Sequence, residues 1–223
     1  MTTTTRPDRR GFSLAEARRE FLTHPSPWMI GATLIGALIA RIVVGDWQFT
    51  DVLVPLVMLA LFPFFEWLVH VIILHWRPRR LGSITLDPLL ARKHREHHVD
   101  PREVPLIFIP WRALLWILPG SVAIALLAFP RPGLGLTYLV FLGMLGLSYE
   151  WCHYLIHSDY KPKTPIYRAI WRNHRQHHFK NEHYWFTVTS AGTADRVLGT
   201  YPNAAAVGSS PTAKNLHATT PGR

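Results

Sequence analysis

The chain has 223 residues, a hydrophobic fraction of 48%, a formal charge of +10 and a pI near 10.3. Its single cysteine, Cys152, excludes an intramolecular disulfide and any cysteine-rich metal cluster. The positive charge comes without a recognised nucleic-acid motif and flanks apolar segments, where membrane topology and anionic headgroups account for it; nucleic acid is therefore set aside as a partner.

In chain order, residues 1–27 are expected to form a cytosolic segment, and Met1–Arg10 lacks the apolar core of a signal peptide. Four apolar stretches follow: Trp28–Val44, Val52–Leu74, Trp111–Phe129 and Leu134–Ile156. A helix needs about 20 apolar residues to cross the hydrocarbon core, so each predicts a membrane span. The first carries Arg41 near its close, and the second contains Pro55 and Pro63, which a packed membrane helix tolerates. The alternative, buried helices of a soluble protein, leaves little polar surface to cover four such stretches.

The short links Gly45–Asp51 and Pro130–Gly133 contain only Arg131, whereas arginines and lysines crowd the start of the chain, the link 75–110 and the residues after the fourth stretch. The positive-inside rule then places both termini and the 75–110 link in the cytoplasm. Trp67, Trp76, Trp111, Trp151, Trp171 and Trp185 fall near the cytoplasmic ends of spans, where interface anchoring explains most of them. Residues 28–200 form the membrane-embedded domain, and 201–223, rich in Ala, Ser, Thr, Pro and Gly, are expected to be a disordered tail.

Ten of the 13 histidines form two copies of one pattern. Glu66 and Trp67 precede His70 and His75, followed by His94, His97 and His98; Glu150 and Trp151 precede His153 and His157, followed by His174, His177 and His178. Neutral imidazole is the commonest metal-ligating side chain and suits iron, zinc, copper and nickel. His153 and His157 share a helical face, as do the members of each His-x-x-His-His box. His70 and His75 stand about 140° apart on an ideal helix, so the second span is expected to lose regularity near Leu74. Ten donors exceed the four that close a structural zinc site and divide into two metals with about five each, or fewer where some imidazoles only support the ligands.

Glu66 and Glu150 lie one turn before His70 and His153, close enough to accept their second ring N–H and fix the tautomer. The plainer alternative pairs each with a nearby Arg or Lys. His183 is a candidate outer partner of the metals or an interfacial residue; His24 and His217 lie outside the pattern and receive no role.

The order His-x4-His, His-x-x-His-His, His-x3-His, His-x-x-His-His, with His177-His178-Phe-Lys-Asn-Glu-His183-Tyr-Trp-Phe and Asp195-Arg-Val-Leu-Gly199-Thr200 beyond it, resembles the fatty acid hydroxylase/sterol desaturase superfamily of membrane non-haem di-iron enzymes, from about Pro63 to Thr200. The resemblance implies an all-α integral membrane fold, four transmembrane helices under a cytosolic histidine-rich helical cap. It also implies two iron ions, molecular oxygen as co-substrate, and His70, His75, His94, His97, His98, His153, His157, His174, His177 and His178 as ligands. No acid, base or nucleophile is needed besides the ligands; Glu66, Glu150 and His183 would support the site from outside. Thr187 stands where the family pattern leads one to expect glycine.

The expected reaction is hydroxylation of a C–H bond in a fatty acyl, sterol or related lipid within the bilayer. His24-Pro25 is not the His-Pro-Gly-Gly of a haem domain, so electrons are expected from a separate ferredoxin or cytochrome b5 type protein. Desaturases and carotenoid ring hydroxylases share the chemistry. A histidine-rich metal transporter would keep its site near the bilayer midplane, and a haem electron carrier needs only two axial histidines, leaving both His-x-x-His-His boxes unexplained. The bacterial inner membrane is the first expectation for location, with the endoplasmic reticulum as the alternative.

Overall fold

The structure is a computed structural model that describes residues 12–218. Arg6, Arg9, Arg10 and the last residues of the expected tail, 219–223, lie outside the described residues. The N-terminal segment contains a short helix the sequence reading did not anticipate, α1 (Leu14–Phe21). Its start is a capping box: Ser13 Oγ accepts from Glu16 N, and Ser13 N donates to Glu16 Oε2. The inner face of α1, Ala17 and Phe21, packs on Phe108 and Tyr154.

Four long helical segments follow, as the apolar stretches predict: α2 (Pro25–Val44), α3 (Leu53–Leu68) continued by a wider turn over Val69–Leu74, α6 (Trp111–Leu127) and α7 (Pro132–His157). With the short helical pieces that precede two of them, they run 20–26 residues, about 30–39 Å at 1.5 Å per residue and enough to cross the hydrocarbon core. Prolines at the starts of α2 and α7 occupy positions whose N–H groups would have no helical partner. Pro63 and Pro119 sit inside α3 and α6 without ending them.

Burial distinguishes membrane spans from soluble core helices. Only 6–28% of each span's most apolar window is buried inside the protein. Side chains such as Ile35, Ile39, Leu59, Phe65 and Leu126 are exposed, an arrangement suited to lipid rather than water. Helix α7 is the axis of the bundle, with α2, α3 and α6 packed against it. Its glycines allow the close approach that membrane packing requires: a Cβ on Gly135 would collide with the Ala125 carbonyl, and one on Gly143 would lie 2.8 Å from Leu34 Cβ.

Beyond the spans come a hairpin of β1 (Arg79–Leu81) and β2 (Ile84–Leu86), then α4 (Leu89–Val99), α8 (Pro165–Phe179) and α9 (Thr193–Val197), while the short α5 (Val104–Ile107) leads into α6. The hairpin is the only sheet among the described residues. Thr164 caps α8 through Tyr167 N.

At the opposite end of the bundle, buried Arg41 donates to Asp51 Oδ2 at 2.6 Å and to Thr137 Oγ1 at 2.9 Å and stacks over Trp47. Arg131 pairs with Asp51 and Asp46, so the network joins the two short links between spans. Removing one partner of a buried pair costs about 3–5 kcal/mol, because the other charge stays behind. Asp51→Ala is therefore expected to lower the melting midpoint of the detergent-solubilised protein by roughly 6–20 °C. A shift under 2 °C would remove the network from the stabilising contacts.

Candidate metal centre

The second span solves the spacing of His70 and His75 with a π turn. Over Val69–Leu74 the backbone pairs i with i+5, and His75 N donates to His70 O at 3.0 Å. This wide turn carries both rings to one side, with centroids 4.9 Å apart. Regularity is lost, as the spacing required, but five residues before Leu74 and as an ordered turn instead of a frayed end.

The ten histidines of the doubled pattern converge in two groups of five. His70, His75, His94, His98 and His177 form the first; His97, His153, His157, His174 and His178 form the second. In each group one nitrogen per ring lies within 4.8 Å of the others. The groups do not follow the two sequence copies: His177 crosses into the first and His97 into the second. The members of each His-x-x-His-His box therefore do not serve one face, as their spacing led one to expect, and helical geometry explains the exchange. With about 100° per residue, the outer histidines of a His-x-x-His-His box lie about 40° apart, whereas the middle one lies about 100° from the last. On α4, His94 and His98 therefore face one group and His97 the other; on α8 the same division separates His174 and His178 from His177.

Backbone carbonyls orient four of the rings. His70 Nδ1–H donates to Phe186 O at 2.6 Å, His153 Nδ1–H to Ile107 O at 2.8 Å, His177 Nδ1–H to Tyr184 O at 2.8 Å and His98 Nδ1–H to Ala213 O at 2.7 Å. Each bond fixes the tautomer with a bare Nε2 turned toward its group. Burial, with crowding by neighbouring imidazoles, holds His94, His97, His98, His174, His177 and His178 well below the usual histidine range. They are neutral at pH 7, the ligating form.

The donor set fits metal ions. The Nε2 atoms of His153 and His177 are buried without a partner, as is that of His75, and a stranded polar atom costs about 1–3 kcal/mol. The Nε2 atoms of His94 and His70, of His94 and His98, and of His174 and His178 lie 3.1 Å apart. Two donors about 2.1 Å from one centre at near right angles stand about 3 Å apart.

The carboxylates act differently from the sequence expectation. Glu66 does not touch His70: its Oε1 accepts from Thr189 Oγ1 at 2.7 Å and Thr189 N at 3.2 Å. Glu150 does not touch His153: it accepts from Ser26 Oγ at 2.6 Å and Ile109 N at 2.7 Å. Each holds a loop whose carbonyl orients the histidine it was expected to bind. An extended segment offers both an N–H for the carboxylate and a C=O for the ring, so the pairing is relayed through backbone. His183 is 71% exposed, 3.5 Å from Glu182, and belongs to neither group.

Sequence reasoning passed over several supporting residues. Buried Asp195 accepts from Phe186 N, Thr187 N, Thr187 Oγ1 and Thr200 Oγ1. It belongs to the Asp195–Thr200 run already singled out, so a signal existed. Thr187, at the departure from the family pattern, uses its hydroxyl for that contact. Trp185 is buried, with φ +57° and its N–H on Thr200 O, so it braces this loop and is not an interface anchor. His217 donates to the carbonyl of His75 at 3.0 Å, which no local pattern announced. His24 stacks on Phe108.

Four membrane-length helices with two clusters of imidazoles at one end, nine of the ten buried, define a histidine-box integral membrane protein. The chain belongs to the fatty acid hydroxylase family, whose model, Fatty acid hydroxylase, matches residues 55–200. It is 28% identical over 153 residues to one dihydroceramide fatty acyl 2-hydroxylase of Arabidopsis thaliana, covering 67% of this chain and 62% of that protein. A second from the same plant is 27% identical over 138 residues, covering 61% and 55%. The chain thus matches somewhat over half the length of these relatives. The visible hydroxylase domain of full-length scs7p superposes with a TM-score of 0.63 at 18% identity, covering 90% of this chain and 70% of that one, and so shares the fold.

Proposed function

We propose that the chain is an oxygen-dependent membrane hydroxylase acting on the acyl chain of a lipid, with a non-haem iron ion in each histidine group. The observation that carries this reading is the interleaved pair of five-imidazole groups at one end of four membrane spans. The 2-hydroxylase relatives support an acyl substrate of the ceramide type. The groups stand at helix ends, whereas transport sites lie near the bilayer midplane, which weighs against a metal conduit.

Bound iron would supply reductive activation of oxygen, so that R–H, O2, two electrons and two protons become R–OH and water. The protein's part is positioning. Carbonyls of Phe186, Ile107, Tyr184 and Ala213 hold four rings with Nε2 turned inward. Burial of nine of the ten rings excludes water from the groups. The spans hold an acyl chain alongside them in the bilayer. A separate ferredoxin or cytochrome b5 type protein delivers the electrons, and the histidine end faces the cytoplasm, at a bacterial inner membrane or an endoplasmic reticulum.

Lipid mass spectrometry on cells expressing the intact chain or His97→Ala tests the reading. A lipid that gains one oxygen only with the intact chain is the expected result. A lipid that loses two hydrogens instead would move the reaction to desaturation. No difference, with iron bound and a donor supplied, would overturn the enzyme reading.

A further inference from the structure

The segment after residue 200, expected to be disordered, is ordered through residue 218 and closes over the first histidine group. Its composition offers few large apolar residues, but Leu216 and the small Ala213 are buried. Its docking is specific. Ser210 N donates to Lys180 O at 2.7 Å and Asn181 Nδ2 to Gly208 O at 3.3 Å. The hydroxyls of Ser210 and Thr212 both donate to Glu182, a buried carboxylate at the turn after α8. From that anchorage the segment reaches the site twice: Ala213 O accepts from His98 Nδ1, and His217 Nε2 donates to the carbonyl of His75.

These contacts fall on one group only. His98 and His75 both belong to the first, and no described residue beyond 200 hydrogen-bonds a histidine of the second. The second group takes its backbone acceptor from Ile107, in the link before α6. The strap also lies beyond the 55–200 matched by the family model, so the matched region alone does not contain all the acceptors of the first group.

We infer that residues 208–218 are a positioning strap of the first metal group, fixing the His98 tautomer through the Ala213 carbonyl and shielding His75, so that metal retention in this group, but not in the second, depends on it. The inference rests on the metal reading of the two groups. A free His98 ring would rotate and share its proton between both nitrogens, whereas the tied ring keeps Nε2 bare. Loss of such an outer partner typically costs 10–100-fold in metal affinity.

The test loads the full chain and a chain ending at Val207 with ferrous iron alone, without lipid or electron donor, and measures iron per chain and its release to a ferrous chelator. Leu216→Asp, which undocks the strap while keeping the chain length, is the second variant. The expected result is about two irons for the full chain, a fall toward about one for both variants, and release that turns biphasic with the fast phase roughly 10–100-fold quicker. Two irons with unchanged release in both variants would overturn the strap and leave the metal reading intact. Parallel loss of both irons would also overturn it, reducing the strap to general packing. A full chain that binds no iron would sink the metal reading itself. If the shortened chain does not fold, Leu216→Asp decides between these outcomes.

Discussion

Replacing His177 by alanine is expected to strip metal from the first histidine group, although His177 belongs to the second sequence copy, and to abolish hydroxylation. His97→Ala should do the reverse, emptying the second group while sitting in the first copy. Loss of an outer partner costs roughly 10–100-fold in metal affinity or activity, so loss of a ligand should exceed that. The two sites are separable because each variant leaves the other five rings in place. Iron content together with the spectroscopic signature of the remaining iron would distinguish them: the two variants should retain different single-iron spectra. The double variant should retain neither. Metal loss that followed the sequence copies, His177→Ala emptying the group of His153 and His157, would refute the crossed assignment.

Asp195→Ala should be the most damaging change outside the ligands. The carboxylate is fully buried and is the acceptor for two adjacent amides, Phe186 N and Thr187 N, at 2.8 and 3.0 Å. Leaving those two donors stranded costs on the order of 2–6 kcal/mol at about 1–3 kcal/mol each. The Thr200 hydroxyl, which accepts from Trp67 Nε1, would lose its acceptor as well. Since Phe186 O holds His70 and Tyr184 O holds His177, the disturbed loop would also loosen the first group. The expected outcome is a melting midpoint lowered by roughly 4–24 °C and weaker iron binding. Asp195→Asn keeps one acceptor oxygen and should recover part of both. Unchanged melting and iron affinity in Asp195→Ala would show that the loop does not depend on this anchor.

The membrane fold was legible because its signal is local and summed over many residues. Each apolar stretch is close to a helix in length, and lipid removes the need for a buried partner face. Helix α1 is equally local, written in the Ser13 and Glu16 capping box, but at eight residues its signal is small beside the apolar stretches. The β-hairpin was missed because its strands are three residues each and wholly exposed, so neither periodicity nor burial marks them. For the 201–218 segment, composition reports only the scarcity of large apolar side chains, whereas its docking comes from backbone hydrogen bonds and two hydroxyls on Glu182.

By itself the sequence determined the spans, the common end of the two histidine copies and the shared face of His153 and His157, since these follow from hydropathy, charge bias and about 3.6 residues per turn. Only the tertiary structure decided how ten rings divide into two interleaved groups and what fixes their tautomers. Those acceptors come from Phe186 for His70, 116 residues away, and Ala213 for His98, 115 residues away. A backbone carbonyl carries no side-chain identity, so no sequence motif names it. Its direction is set by the loop around it, and that loop is held by Glu66, Glu150, Asp195 and Glu182 only once the helices have packed.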